Sequence, residues 1–266
     1  MTDTEDQKSS KRWIKWIVVG GIAAVVLFFA GIFVYANFIN DAPDELDRAD
    51  LSDALGTTTV APVMADTTAA PTPDESTPTS ETASADGTPS DGASFDGDWV
   101  ATSASEFGYR VEEVLAGVNT TAVGRSNEIQ GALTIEGTTA TVVDVTVEID
   151  SMASDKAVRD GQFRGRIMNA AEFPTAQFRI TEPIDFGRIP VGDEQITASA
   201  TGELTLRGVT NPVTFDVTAQ TTDGRIGVLG SIPVVFDDFE IPAPSMGPVS
   251  VEDNGLVEFV LVFERA

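Results

Sequence analysis

Residues 141–150 read TVVDVTVEID. Val143, Val145, Val147 and Ile149 fall on one face of an extended chain and Asp144, Thr146 and Glu148 on the other, the period-two pattern of a strand with one buried side. The alternation recurs in Val213, Phe215, Val217 and Ala219 against Thr214, Asp216 and Thr218, and in Ile129, Gly131, Leu133 and Ile135 against Gln130, Ala132 and Thr134. Working outward, strands are expected at 99–103, 107–112, 176–181, 196–206, 225–230, 234–236 and 256–263, parted by Gly, Asn, Asp and Pro. About eight to ten short strands, with no alternation of strand and helix, predict an all-β antiparallel sandwich or barrel.

One segment breaks the pattern. Residues 154–169, SDKAVRDGQFRGRIMN, carry one Lys and three Arg and open on Ser154, an expected helix N-cap. A single short helix is expected here, weakened by Gly161 and Gly165, with Phe163, Ile167 and Met168 on its buried side and Pro174 beyond its end.

The chain before the strands has two other characters. Residues 16–40 hold no charged residue and are mostly Ile, Val, Ala, Leu, Phe and Gly, and about 20 such residues cross a bilayer as a helix. Lys8, Lys11, Arg12 and Lys15 precede the stretch and Asp41, Asp44, Glu45 and Asp47 follow it, which puts residues 1–15 in the cytoplasm and the remainder outside the cell. The rival is a cleaved signal peptide, with Val34, Tyr35 and Ala36 at the cleavage site, although its apolar region is usually about 7 to 15 residues. Residues 41–95, rich in Thr, Ser, Ala, Pro and acids, bury too little apolar surface to offset their conformational entropy and are expected to be a disordered stalk. At about 5 to 6 Å times the square root of its length, such a coil reaches on the order of 40 Å. Residues 96–266 are then the folded domain.

Composition narrows the chemistry. Among 266 residues, 16 Lys and Arg stand against 42 Asp and Glu, a net charge of −26, which lacks the cationic footprint of a nucleic-acid binder. With no His and no Cys, a Ser-His-Asp triad, a Cys nucleophile, a Cys/His zinc site and a disulfide are all excluded. Carboxylate chemistry remains available, but no carboxylate pair is assignable to an interior face. Asp237-Asp238 and Glu252-Asp253 belong to no calcium-binding loop pattern, so neither a metal nor a cofactor is expected.

The segments SEFGYRVEEVL, GALTIEG, VTVEIDSMASDKAVRDGQF, AAEFPTAQFRIT, GELTLRGVTNPVTFDV and FDDFEIPAPSMGPVSVEDNGLVEFVLVF follow one another in order. Arg159-Asp160, Phe173-Pro174 leading to Phe178, and Leu204 to Thr210 are the most telling pieces. In these the chain, from about residue 98 to 266, resembles the YceI-like family of lipocalin-shaped lipid-binding proteins. The resemblance implies an eight-stranded antiparallel barrel with a helix near its mouth and an apolar tunnel for a polyisoprenoid or other long-chain lipid. The family's frequent His in the first strand and near the Arg-Asp pair is missing here.

Alternation alone fits a filled core as well as a hollow one, and a filled barrel on a stalk would instead be a structural or adhesive module with a protein partner. The resemblance favours a cavity lined by Tyr109, Val111, Val145, Val147, Phe163, Ile167, Phe173, Phe178, Phe215, Phe236 and Phe259. Arg159, Arg164 and Arg166 are the candidates for a lipid headgroup, since guanidinium groups match phosphate geometry. Arg164 and Arg166 are preferred, because Arg159 beside Asp160 is expected to brace the helix. No catalytic residue is expected.

Overall fold

The computed structural model describes residues 19–21, 23–31, 42–56, 94–115, 117–242, 245–246 and 249–266. Residues 19–21 and 23–31 are helical and exposed, and among the described residues no helix is long and apolar enough to cross a membrane. The expected cytoplasmic segment and most of the stalk lie outside the described residues.

The domain is all-β. Eight strands close into a ring through the order β1 (Gly97–Ala101), β4 (Ile129–Glu136), β5 (Thr139–Glu148), β7 (Thr175–Ile180), β9 (Ile196–Leu206), β10 (Val209–Thr222), β11 (Arg225–Val235) and β14 (Asn254–Arg265). The antiparallel pairing of Trp99 with Arg265 and Ala101 with Phe263 seals the ring. β14 is long enough to serve two partners, because its first half pairs with β2 (Glu106–Leu115), Leu256 opposite Arg110. β2 in turn carries β3 (Val118–Ser126). Short strands extend the edges: β8 (Ile184–Asp185) pairs with β5, and β12 (Ser245–Met246) pairs with β13 (Val249–Val251), which lies along β2. The segments expected at 225–230 and 234–236 merge into one strand that ends at Val235, and Phe236 opens a 3-10 turn.

The hairpin β2–β3 flares from the ring at the barrel end where the short β6 (Ala153–Ser154) and α2 (Ala157–Gln162) lie. α2 does not start at Ser154. Its N-cap position is Lys156, and Ser154 Oγ instead receives the Lys156 N–H at 3.2 Å and donates to Asp160 at 2.6 Å. Residues 163–167 then widen into a π turn, with Met168 N–H bonded to the Phe163 carbonyl at 2.8 Å. Such turns shift the following side chains around the helix axis.

The stalk expectation fails at its start. Residues 42–56 are folded onto the outside of the barrel, where α1 (Arg48–Ala54) is closed by a capping box between Asp47 and Asp50. Leu51 and Leu55 are 0% and 1% exposed, packed with Leu46 on Val260 and Val262 of β14 and on Leu229 of β11. Gly227 makes the docking notch: a Cβ there would stand 2.6 Å from Leu51 Cδ1 and 2.8 Å from Leu55 Cδ1. Beneath the strap, the buried Glu258 carboxylate accepts from Arg125 at 2.8 Å, from Arg110 at 3.4 Å and from the Leu46 N–H at 3.3 Å. Arg110 and Arg125 also donate to the carbonyls of Pro43 and Asp44, each at 2.6 Å. Apolar burial and the ion cluster around Glu258 therefore hold the segment against the barrel.

Candidate functional site

Alternate residues of the ring strands point inward, so the interior is apolar by construction. In β14, Val257, Phe259, Leu261 and Phe263 face in; in β10, Phe215 and Val217 do the same. These side chains do not fill the interior. A cavity of about 140 Å³ runs through the lower barrel, and a second of about 130 Å³ lies beneath α2. Phe107, Val147, Ala176, Leu206 and Val257 line both, so the two spaces adjoin along the barrel axis. Small inward residues open the room: Ala140, Ala176 and Ala200 sit among large neighbours on β5, β7 and β9. Glycines serve the same packing from the wall. At Gly202 a Cβ would come within 2.7 Å of the Phe178 ring, and at Gly230 within 2.6 Å of the Phe259 ring.

Of the apolar residues expected to line a tunnel, Val145, Val147, Phe178, Phe215 and Phe259 border the lower cavity, and Tyr109, Val111, Val147, Phe163, Ile167 and Phe236 the upper one. Phe173 is different. Its ring packs over Gly208, whose φ of +78° makes the β9–β10 turn, and under the Arg207 guanidinium at 6.0 Å. It holds the barrel rim and borders neither cavity. Leu133, Leu204, Leu206, Ile226 and Leu261 also line the lower cavity, beyond the residues expected to do so. Their signal is present in the sequence, since each continues the period-two face of its strand.

Polar groups line both cavities: Thr138, Gln177, Arg188 and Thr221 the lower one, and a charge pair the upper one at the α2 end. Arg159 and Glu113 line the upper cavity, 3.7 Å apart, and Arg159 also bonds Asp155. Tyr109 stacks on Phe163 with ring centroids 4.5 Å apart. Burial pushes the Tyr109 hydroxyl far above its ordinary pKa, so it stays a neutral hydrogen-bond donor. Burial also holds the Glu113 carboxyl above the usual glutamate range, with Arg159 pulling the other way.

Arg159 does two things: it braces the helix through Asp155 and Glu113, and, unlike the preferred headgroup candidates Arg164 and Arg166, it lines the upper cavity. Asp160 adds a second brace, accepting from Ser154 Oγ at 2.6 Å and Ser154 N–H at 2.9 Å. Arg164 is occupied by the carbonyls of Asp160 and Asp150 at 3.3 and 3.0 Å. Arg166 is exposed and lines neither cavity. The physical reason is the helix register. Positions three and four apart share a face, which joins Arg159 with Phe163 over the cavity, and the π turn then rotates Arg164 and Arg166 outward.

Because its raised pKa favours protonation in the folded state, Glu113 contributes stability that is present below the ordinary glutamate pKa and lost as pH rises through the raised one. Glu113→Gln should flatten that pH dependence. Urea midpoints from pH 4 to pH 7, which should fall less steeply with rising pH in the variant than in the parent, check this; identical slopes would contradict it.

A curated UPF0312 protein of Pseudomonas paraeruginosa is 35% identical over 150 residues, covering 53% of this chain and 72% of its own length. One from Shewanella denitrificans is 35% identical over 137 residues, covering 48% and 68%. Among solved structures, a polyisoprenoid binding domain from Saccharophagus degradans superposes with a TM-score of 0.51 at 21% identity, over 63% of this chain and 98% of that one. The pattern described as the YceI-like domain matches residues 99–263. That span opens in β1 and ends in the part of β14 that pairs with it, so the match covers the closed ring from its first strand to its last, and the chain belongs to the YceI-like domain family.

Proposed function

We propose that this protein is a membrane-anchored lipid carrier that stands outside the cell and holds a polyisoprenoid or similar long-chain apolar ligand inside the barrel. The observation that carries the reading is the pair of adjoining, mostly apolar cavities, with the Arg159–Glu113 pair lining the upper one. A chain with an anionic head suits this arrangement, its tail along the axis and its head at Arg159 and Tyr109. The likeness in fold to the Saccharophagus degradans polyisoprenoid binding domain supports the ligand class. The uncharged stretch 16–40 and its flanking charges support the anchor.

Native mass spectrometry of the full chain extracted in mild detergent tests the ligand. A bound species of long-chain lipid mass is the expected result, and a ligand-free chain that takes up no lipid under titration would overturn the reading. Arg159 carries a second expectation. Arg159→Gln should weaken lipids with a phosphate or carboxylate head about ten- to a hundredfold, from the roughly 1.5 to 3 kcal/mol of a charge-assisted hydrogen bond. Neutral lipids of equal chain length should bind as before, because tail burial does not depend on the head. Titration calorimetry against a matched pair of lipids distinguishes the two, and equal losses for both would mean that Arg159 only supports the rim.

A further inference from the structure

The strap at residues 42–56 follows directly on the uncharged stretch and has a direction. Pro43 and Asp44 touch Arg110 and Arg125, beside the start of β14, where Leu256 pairs with Arg110. Leu55 lies at the other end of that strand, its carbonyl bonded by Arg225, close to where Ile226 pairs with Phe263. The strap therefore descends the outer wall from the α2 side toward the β10–β11 turn. Ser94 lies at that same lower end, its carbonyl bonded by Arg265 at 2.6 Å. Leu55 and Ser94 thus lie at one end of the barrel.

Ala42 is two residues past Asn40, the last residue of the uncharged stretch, and an extended chain spans at most about 3.3 to 3.6 Å per residue. The stretch therefore ends within about 10 Å of the barrel wall at Pro43. The two barrel ends also differ chemically. Residues 155–168 carry Lys156, Arg159, Arg164 and Arg166 around Val158, which is 74% exposed; Asp155 pairs with Lys156 and Arg159, and Glu113 with Arg159. At the opposite end Val191 is 78% exposed, but Asp193 and Glu194 follow it and Arg188 is paired with Glu194 at 2.6 Å. The α2 end thus has Arg164 and Arg166 beyond its carboxylate pairs, whereas the cation at the opposite end is matched by Glu194, and an exposed apolar side chain near such surplus cations suits an anionic headgroup layer.

We propose that residues 42–56 are an orienting strap that holds the α2 end of the barrel against the bilayer, so that the upper cavity opens at the membrane surface and the β10–β11 turn points away. This rests on the reading that residues 16–40 span the membrane. A lipid then passes between bilayer and barrel without crossing water, which would be the slow step for a barrel raised on a free stalk.

The chain has no Cys, so V158C and V191C can each carry one environment-sensitive dye on the full chain, reconstituted in phosphatidylcholine vesicles containing phosphatidylglycerol and a headgroup spin-labelled lipid. The expected result is strong quenching of the dye at 158 and none at 191. A Gly-Ser spacer inserted after Asp41 leaves the docked strap intact but lengthens the tether, and should abolish the quenching at 158. The double substitution L51D/L55D should do the same by releasing the strap. Equal quenching at both positions, or quenching at 158 that survives the spacer, overturns the proposal while leaving the anchor in place. A chain that fails to float with the vesicles overturns the anchor reading and the orientation with it.

Discussion

Ala176→Trp is expected to abolish binding of long-chain lipids while leaving the barrel folded. Ala176 is 6% exposed and borders both cavities, so an indole there fills the junction between them. The room is already present, which keeps the cost of the added atoms at or below the roughly 1 to 3 kcal/mol of overpacking in a filled core. The ligand suffers far more. Each methylene kept out of the interior forfeits about 0.8 kcal/mol, and excluding about five of them costs about 4 kcal/mol, or about a thousandfold in affinity. Chains short enough to occupy one cavity should bind nearly as they do to the parent. A titration series of fatty acids of increasing length measures this directly. The parent should gain affinity with every added methylene and the variant should reach a plateau; parallel series would mean that the ligand does not run through the junction.

The second large effect is expected outside the cavity. Glu258→Ala removes the common acceptor of Arg110, Arg125 and the Leu46 N–H and leaves two guanidinium groups facing each other under the strap. Breaking a buried ion cluster from one side costs about 3 to 5 kcal/mol, a large share of the roughly 5 to 15 kcal/mol that holds most domains folded. Arg125 retains Glu106 at 2.8 Å, which places the loss nearer the lower figure. Leu51→Ala, which empties a fully buried site, should cost about 2 to 5 kcal/mol through the same interface. Equilibrium urea unfolding of the full chain reads both. Limited proteolysis adds a local reading, because a released strap exposes residues 42–56 to cleavage before the barrel opens. A Glu258→Ala chain within about half a kcal/mol of the parent, as surface changes usually are, would mean that the strap does not depend on the cluster.

β14 faces the cavity on one side and the strap on the other, and it explains what the sequence hides. Its run VEFVLVF has apolar residues on both faces, the mark of a strand covered on both sides. The inner face sees the cavity. The outer face, Val260 and Val262, needs a cover, and the cover lies in the acidic stretch expected to be unstructured. Its signals were small: an Asp47-to-Asp50 capping box and Leu51 to Leu55 one helical turn apart. A helix of seven residues is too short to hold in water, so only the partner wall and the Gly227 notch make it form.

The period-two strands, their antiparallel class and the single interruption at 154–169 were legible in the chain itself, because a strand with one buried face must alternate wherever it packs. β3 was not legible. Its residues VNTTAVGRS do not alternate, because neighbours from β2, β6 and the strap cover them in place of apolar side chains of their own. Most inward apolar positions could also be named beforehand, but the sequence could not say whether they met. That depended on ring circumference: eight strands hold the walls apart, and alanines at 140, 176 and 200 leave the middle unfilled. Which arginine faces the cavity was likewise decided by tertiary structure. Arg159, Arg164 and Arg166 have the same chemistry, and only the helix register and the π turn determine that one points inward and the others do not.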